Sequence, residues 1–230
     1  MHYYPFSTQQ ETKKRGLKMR KLLSMAMLGV GLSAVVCADE IKLSDKFTDA
    51  SNWSLTENWQ LTADGQMACS NGNGGFLLLK DNKTSGDLSI EANVTAIEAK
   101  SDGWKVGGLA VVKDDSNFWA FCFIEFPDNE GKKHFIEVKE MKDGKWGAET
   151  NAMKIVPTNN NNLNWEYNTT YRIKLVLNSE GITGTVSDKS GKVLAEIKEQ
   201  FTGDVVKSGT PALRASGLSM KFDNVEISGK

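Results

Sequence analysis

The acids whose spacing first suggests chemistry are those of Glu125-Phe126-Pro127-Asp128-Asn129-Glu130. Hydrolysis of a glycosidic bond by paired carboxylates needs one acid on each side of the bond, with one of them protonated. Two acids on a strand share a face only at even spacing. Glu125 and Asp128 break that rule, and Pro127 interrupts the run. The segment reads as a strand ending in a turn, not as a catalytic pair. His134, in Lys132-Lys133-His134-Phe135, lies beside a turn and reads as a solvated or edge histidine. There is no G-x-S-x-G, no H-E-x-x-H and no P-loop. No catalytic residue is expected.

The aromatic residues point to binding. Trp53, Trp59, Trp104, Trp119, Trp146 and Trp165 are the six tryptophans. An aromatic face can stack on the apolar face of a sugar ring while carboxylates take its hydroxyls. Trp119 and Glu125 share a parity on one predicted strand, Glu137 lies on a probable neighbour, and Trp146 follows the turn at Asp143-Gly144. Trp104 follows Ser101-Asp102-Gly103 at a loop–strand junction. If these parities face outward, Trp119, Glu125 and Glu137 share one sheet face, with Trp104 and Trp146 at its rim. The competing reading turns Trp119 inward with Phe121 and Phe123 as core.

The elements that must position these residues are strands. Leu88, Ile90, Ala92, Val94 and Ala96 alternate with polar residues, the pattern of a half-buried strand. Tyr171, Ile173, Leu175 and Leu177 do the same. Strands are also expected over 77–79, 106–112, 118–126, 135–138, 181–186, 193–197, 211–215 and 218–227. Asp64-Gly65, Asn129-Glu130-Gly131, Asp143-Gly144 and Lys189-Ser190-Gly191 supply hairpin turns between them. No apolar stripe of helical period follows residue 38. About a dozen strands without crossover helices predict an all-β fold, a two-layer antiparallel β-sandwich. Thr158 to Asn164, with Asn159 to Asn162, reads as a solvated loop.

The N-terminus reads as an export signal. Lys13, Lys14, Arg15, Lys18, Arg20 and Lys21 precede an uncharged run, Leu22 to Val36. Val36-Cys37-Ala38 then offers a small-x-small cleavage site. The apolar run is shorter than the ~20 residues a membrane-spanning helix needs. Met19, before Arg20-Lys21, is an alternative translation start. A lipobox wants Gly, Ala or Ser before its cysteine, and Val36 precedes Cys37, so lipid anchoring fits less well than cleavage after Ala38. Residues 1–38 would be the signal peptide and 39–230 the domain, secreted or periplasmic. Six of the 28 Lys and Arg and one of the 29 Asp and Glu fall within 1–38, so residues 39–230 carry a net charge of −6. That balance disfavours nucleic acid and anionic membrane as partners. Cys69 and Cys122 remain, and the sequence leaves their pairing open.

Asp45-Lys46-Phe47-Thr48-Asp49 with Trp53, Trp59 and Asp64-Gly65 resembles the opening of concanavalin A-like lectin/glucanase (laminin-G-like) domains. Ala212-Leu213-Arg214-Ala215-Ser216-Gly217 and Phe222-Asp223-Asn224-Val225 resemble their closing strands. Gly107-Gly108-Leu109-Ala110 and Asn117-Phe118-Trp119-Ala120-Phe121 look like the paired central strands. The resemblance spans nearly all of 41–228 and implies a jelly roll whose first and last strands are neighbours. It implies a structural calcium near Asp45, Asp49 and Asp223, since calcium takes hard oxygen ligands; the alternative is that Asp223 caps a turn. The E-x-D-x-x-E strand of the glucanases and the Gln-x-His strand of the alginate lyases of this fold are missing here. The expected function is non-catalytic binding of a glycan or polysaccharide on the concave sheet. The alternatives are a glycan-active hydrolase or lyase with an unrecognised site, and a structural or adhesion module, because this fold carries many functions.

Overall fold

The alternation over 88–97 has its cause in a two-sided environment: Leu88, Ile90, Ala92, Val94 and Ala96 are all buried, and the residues between them are not. A computed structural model of the protein describes residues 40–84, 86–131, 133–147, 153–156 (backbone only) and 163–230. The segment 1–38 expected to be a signal peptide, with Cys37, and the asparagine run 159–162 lie outside the described residues.

Fifteen strands follow one another: β1 (Ile41–Asp45), β2 (Gln60–Leu61), β3 (Met67–Cys69), β4 (Gly75–Leu78), β5 (Leu88–Ala99), β6 (Lys105–Asp114), β7 (Asn117–Glu125), β8 (His134–Lys142), β9 (Lys145–Trp146), β10 (Met153–Val156), β11 (Thr170–Leu177), β12 (Gly181–Ser187), β13 (Val193–Phe201), β14 (Thr210–Ser216) and β15 (Leu218–Gly229). One 3₁₀ turn, Asp128–Glu130, is the only helical element among the described residues. The strands form two antiparallel sheets. One has nine strands in the order β10-β13-β12-β11-β5-β15-β3-β2, with β1 also on β15; the other has six, β4-β14-β6-β7-β8-β9. The first and last strands are neighbours, as expected, with Asp45 opposite Val225.

The main core lies between the sheets. Ile90, Val94, Ile173, Leu175 and Phe222 from the larger sheet meet Leu109, Val111, Trp119, Phe121, Phe123 and Leu213 from the smaller. Strand β7 is buried on both faces from Phe118 to Glu125. A second apolar cluster explains this. Ala110, Val112, Phe118, Ala120, Cys122, Ile124 and Ala212 gather on the six-stranded sheet's outer face, packed with Phe76, Phe135 and Trp146.

Candidate functional site

The second cluster forms a groove, because its floor is made of small residues. One register row runs across five strands: Phe76 on β4, Arg214 on β14, Gly108 on β6, Cys122 on β7 and Glu137 on β8. The next row is Leu78, Ala212, Ala110, Ala120 and Lys139. Glycine, cysteine and alanines therefore separate a cation on one side from charged residues on the other. A Cβ at Gly108 would come within 2.2 Å of the Phe121 carbonyl oxygen, so the strands approach there only because that position is glycine.

The walls are aromatic. Phe118 packs edge-on against both Phe76 and Trp146, at 4.9 Å and 5.9 Å between ring centres. At the other end Trp104 and Phe135 each pack edge-on against Phe126 at 5.0 Å. Trp104 is 52% exposed, unusual for so large an apolar side chain. Between the walls, Lys139 lies over the Trp146 ring at 5.1 Å and pairs with Glu137 at 3.3 Å. The enclosed space is about 680 Å³, within the usual range for small-ligand sites, about 300–1,000 Å³. Cys122 sits in it as a free thiol whose burial pushes its pKa up to about 12. It is inert packing rather than a nucleophile.

A polar network fixes the Trp104 end. Lys105 Nζ contacts Glu125 Oε1 at 2.9 Å and Asp128 Oδ1 at 2.6 Å, and donates to the Phe126 carbonyl at 3.2 Å. Glu125 Oε2 faces His134 Nε2 at 2.6 Å and accepts from the Tyr167 hydroxyl at 2.5 Å. His134 Nδ1 faces the Trp165 carbonyl at 2.6 Å, and the imidazole stacks on the Trp165 indole at 3.8 Å. Each ring nitrogen faces an acceptor oxygen. Burial opposes ionisation of Glu125, but its bonds from Tyr167, Lys105 and His134 prevail and hold its carboxyl below the usual range. Burial likewise works against the Lys105 ammonium, and hydrogen bonds to Asp128 and Glu125 overcome it and raise its pKa. Buried and engaged by Lys105, His134 and Tyr167, Glu125 braces the Trp104 end of the groove.

The outward expectation for Trp119 and Glu125 is therefore corrected. Both face the space between the sheets. Trp119 is fully buried, stacks on Phe201 at 5.5 Å and donates from Nε1 to the Val206 carbonyl at 2.8 Å. Glu137 faces the opposite way, into the groove with Trp104 and Trp146. Parity along β7 was ambiguous because both of its faces are apolar. His134 is the edge residue rather than the solvated one of the two alternatives: it opens β8, whose partner β9 reaches only Met141 and Lys142, and its ring is stacked and contacted at both nitrogens. Sequence reasoning missed Arg214, Lys139, Lys105 and Tyr167. The signal for Arg214 was available: Ala212 and Arg214 alternate opposite Gly108 and Ala110, small residues beside one long cation.

The carboxylates expected to hold calcium are each engaged by donors of the chain itself. Asp45 is buried, and its oxygens accept from the Phe47 amide at 2.7 Å, Trp53 Nε1 at 2.8 Å and Asn52 Nδ2 at 3.2 Å. Asp49 accepts from Ser51, and Asp223 from the Asn224 amide and side chain. These acids brace turns, and among the described residues no three His, Cys, Asp or Glu side chains cluster as metal ligands do.

No protein-family model matches the chain, and no curated protein matches it. Solved structures do. The GH43 protein BlXynB from Bacillus licheniformis superposes with a TM-score of 0.55 at 13% identity, over 81% of this chain and 39% of that one. The carbohydrate-binding module CBM66 from Bacillus subtilis gives 0.51 at 15% identity, over 77% of this chain and 96% of that one. A Bacillus subtilis protein of unknown function with a galectin-like fold gives 0.51 at 11% identity, over 81% and 94%. At such identities the likeness is one of fold. The chain is a two-sheet antiparallel β-sandwich whose fold is similar to those of this carbohydrate-binding module and this galectin-like protein.

Proposed function

We propose that the outer face of the six-stranded sheet binds glycans, and that the protein is an exported carbohydrate-binding domain that does no chemistry on its ligand. The observation that carries this reading is the groove itself: a half-exposed Trp104 with Trp146, Phe126 and Phe135 as walls, Ala120 and Cys122 in the floor, and Arg214, Lys139 and Glu137 placed to take hydroxyls. Aromatic walls with few polar groups suit a sugar ring, which has apolar faces and a polar edge. An inert structural face would carry aliphatic side chains alone; here Val106 and Ile124 share the groove with Trp104, Phe126, Phe135 and Trp146. Glu137 is the one carboxylate among the described groove-lining residues, which favours binding over hydrolysis by an acid pair. The fold shared with CBM66 is compatible with this reading. Export rests on residues 1–38 and is tested by sequencing the N-terminus of the mature protein, expected to begin at Asp39.

The test of binding is a glycan array probed with the intact protein. Saturable binding that weakens in Trp104→Ala and Trp146→Ala supports the reading. Binding to no glycan, or binding untouched by both substitutions, sinks it.

A further inference from the structure

Two arginines lie in the described structure, and their surroundings differ. Arg172, on the nine-stranded sheet, is fully engaged: Nε on Glu91 at 2.7 Å, Nη1 on the Asn224 carbonyl at 2.6 Å, Nη2 beside Glu226 at 3.3 Å. Arg214 has no hydrogen bond and no ion pair among the described residues. Its guanidinium is held instead by two aromatic rings, 5.0 Å from the centre of Phe76 and 5.0 Å from the centre of Phe118. Such contacts fix the cation's position and leave its five N–H donors unused.

The rest of the groove leaves this charge unbalanced. Glu137 stands three strands away in the same register row, about 14 Å at ordinary strand spacing. Its charge is already matched by Lys139 at 3.3 Å. The groove therefore holds two cations and one acid, in a domain whose net charge is otherwise negative. A preset guanidinium with open donors, beside an aromatic wall and above a floor without bulk, fits a planar carboxylate carried on a sugar ring. The fork of an arginine matches a carboxylate through two parallel hydrogen bonds.

Resting on the glycan-binding reading, we infer that the groove selects acidic glycans, those bearing uronic-acid residues, and that Arg214 is the residue that reads the carboxylate. Neutral sugars would use the aromatic walls and hydroxyl contacts to the groove's polar side chains.

The experiment is calorimetric titration of the intact protein with oligosaccharides of galacturonate, glucuronate, mannuronate and guluronate. Each is compared with its methyl ester and, separately, with a sulfated oligosaccharide of equal length. At least one acid is expected to bind about tenfold more tightly than its own ester, the scale of a charged hydrogen bond. Arg214→Gln should abolish that difference, bringing the acid's affinity down to that of its ester in the same variant. Arg214→Lys, which keeps the charge and loses the fork, should restore only part of it, and it serves if the glutamine variant fails to fold. Equal affinity for acid and ester in every pair, with both lost in Trp104→Ala, overturns the inference and leaves glycan binding standing. A preference for acid that survives in Arg214→Gln overturns the role of Arg214. Tighter binding of the sulfated sugar than of any uronate overturns the choice of carboxylate. No binding to any of these or to a neutral array overturns the parent reading instead.

Discussion

Lys105 and Glu125 are cross-strand partners on β6 and β7, and their ion pair, 2.9 Å between Nζ and Oε1, is sealed from solvent at the end of the sandwich. The pair lies under the groove's rim. Lys105 follows Trp104 directly and also holds the Phe126 carbonyl, and Phe126 is the ring on which Trp104 packs. Removing one partner leaves the other charge buried, which costs about 3–5 kcal/mol. Lys105→Ala is expected to lose stability on that scale in urea unfolding. A loss below about 1 kcal/mol would show that water or Tyr167 and His134 replace the lysine.

Two other buried acids make stability depend on pH. Glu199 lies on the inner face of β13 and Glu140 on that of β8, each with one carboxylate oxygen that has no partner among the described residues. Burial, helped by the charges of Glu137 and Glu140, pushes the Glu199 carboxyl up to about 7. Burial also raises Glu140, against the bond its Oε1 accepts from the Val206 amide. A raised carboxyl binds its proton more tightly folded than unfolded. Its contribution is complete below about pH 4.5, the unfolded value, and is lost as pH climbs through about 7. Wild type should thus lose roughly 2–3 kcal/mol between pH 5 and pH 8 relative to Glu199→Gln. Parallel stability profiles for the two proteins over that range would contradict this.

Much of the architecture was legible. The alternation in β5 and β11 and the Gly- and Asn-rich turns located those strands because one of their faces is solvated. Short strands such as β1 and β3 escaped notice; they are defined by pairing with β15 rather than by any pattern of their own. Strand β7 was found, but not its facing. Phe118 and Trp119 are both large and apolar, and only the outer cluster decides that Phe118 meets Trp146 while Trp119 enters the core. The Lys105–Glu125–His134–Tyr167 network joins residues up to 62 positions apart in sequence, so no local spacing announces it.

The turn around Asp45 makes a further prediction. Its carboxylate braces Phe47, whose backbone sits at a φ of 53°, and holds the Trp53 indole. Because donors already occupy its oxygens, the melting temperature should not change when EDTA is added. Asp45→Ala should lower it, by about 1–3 kcal/mol of stability for a buried donor left unsatisfied. A fall on chelation, reversed by calcium, would contradict the assignment of Asp45 as a brace.

The two kinds of tryptophan should separate cleanly. Trp119→Ala removes a buried ring and is expected to cost about 3–5 kcal/mol of stability. Trp104→Ala and Trp146→Ala remove groove walls, so their melting temperatures should stay near wild type.

The most direct measurement is the dissociation constant of the intact protein for the best glycan on an array, compared among wild type, Trp104→Ala and Trp146→Ala at matched fold integrity. The groove account predicts a loss of about 2 kcal/mol of binding, roughly 30-fold in Kd, in each variant. Unchanged affinity in both variants, or no glycan bound by wild type, would contradict it.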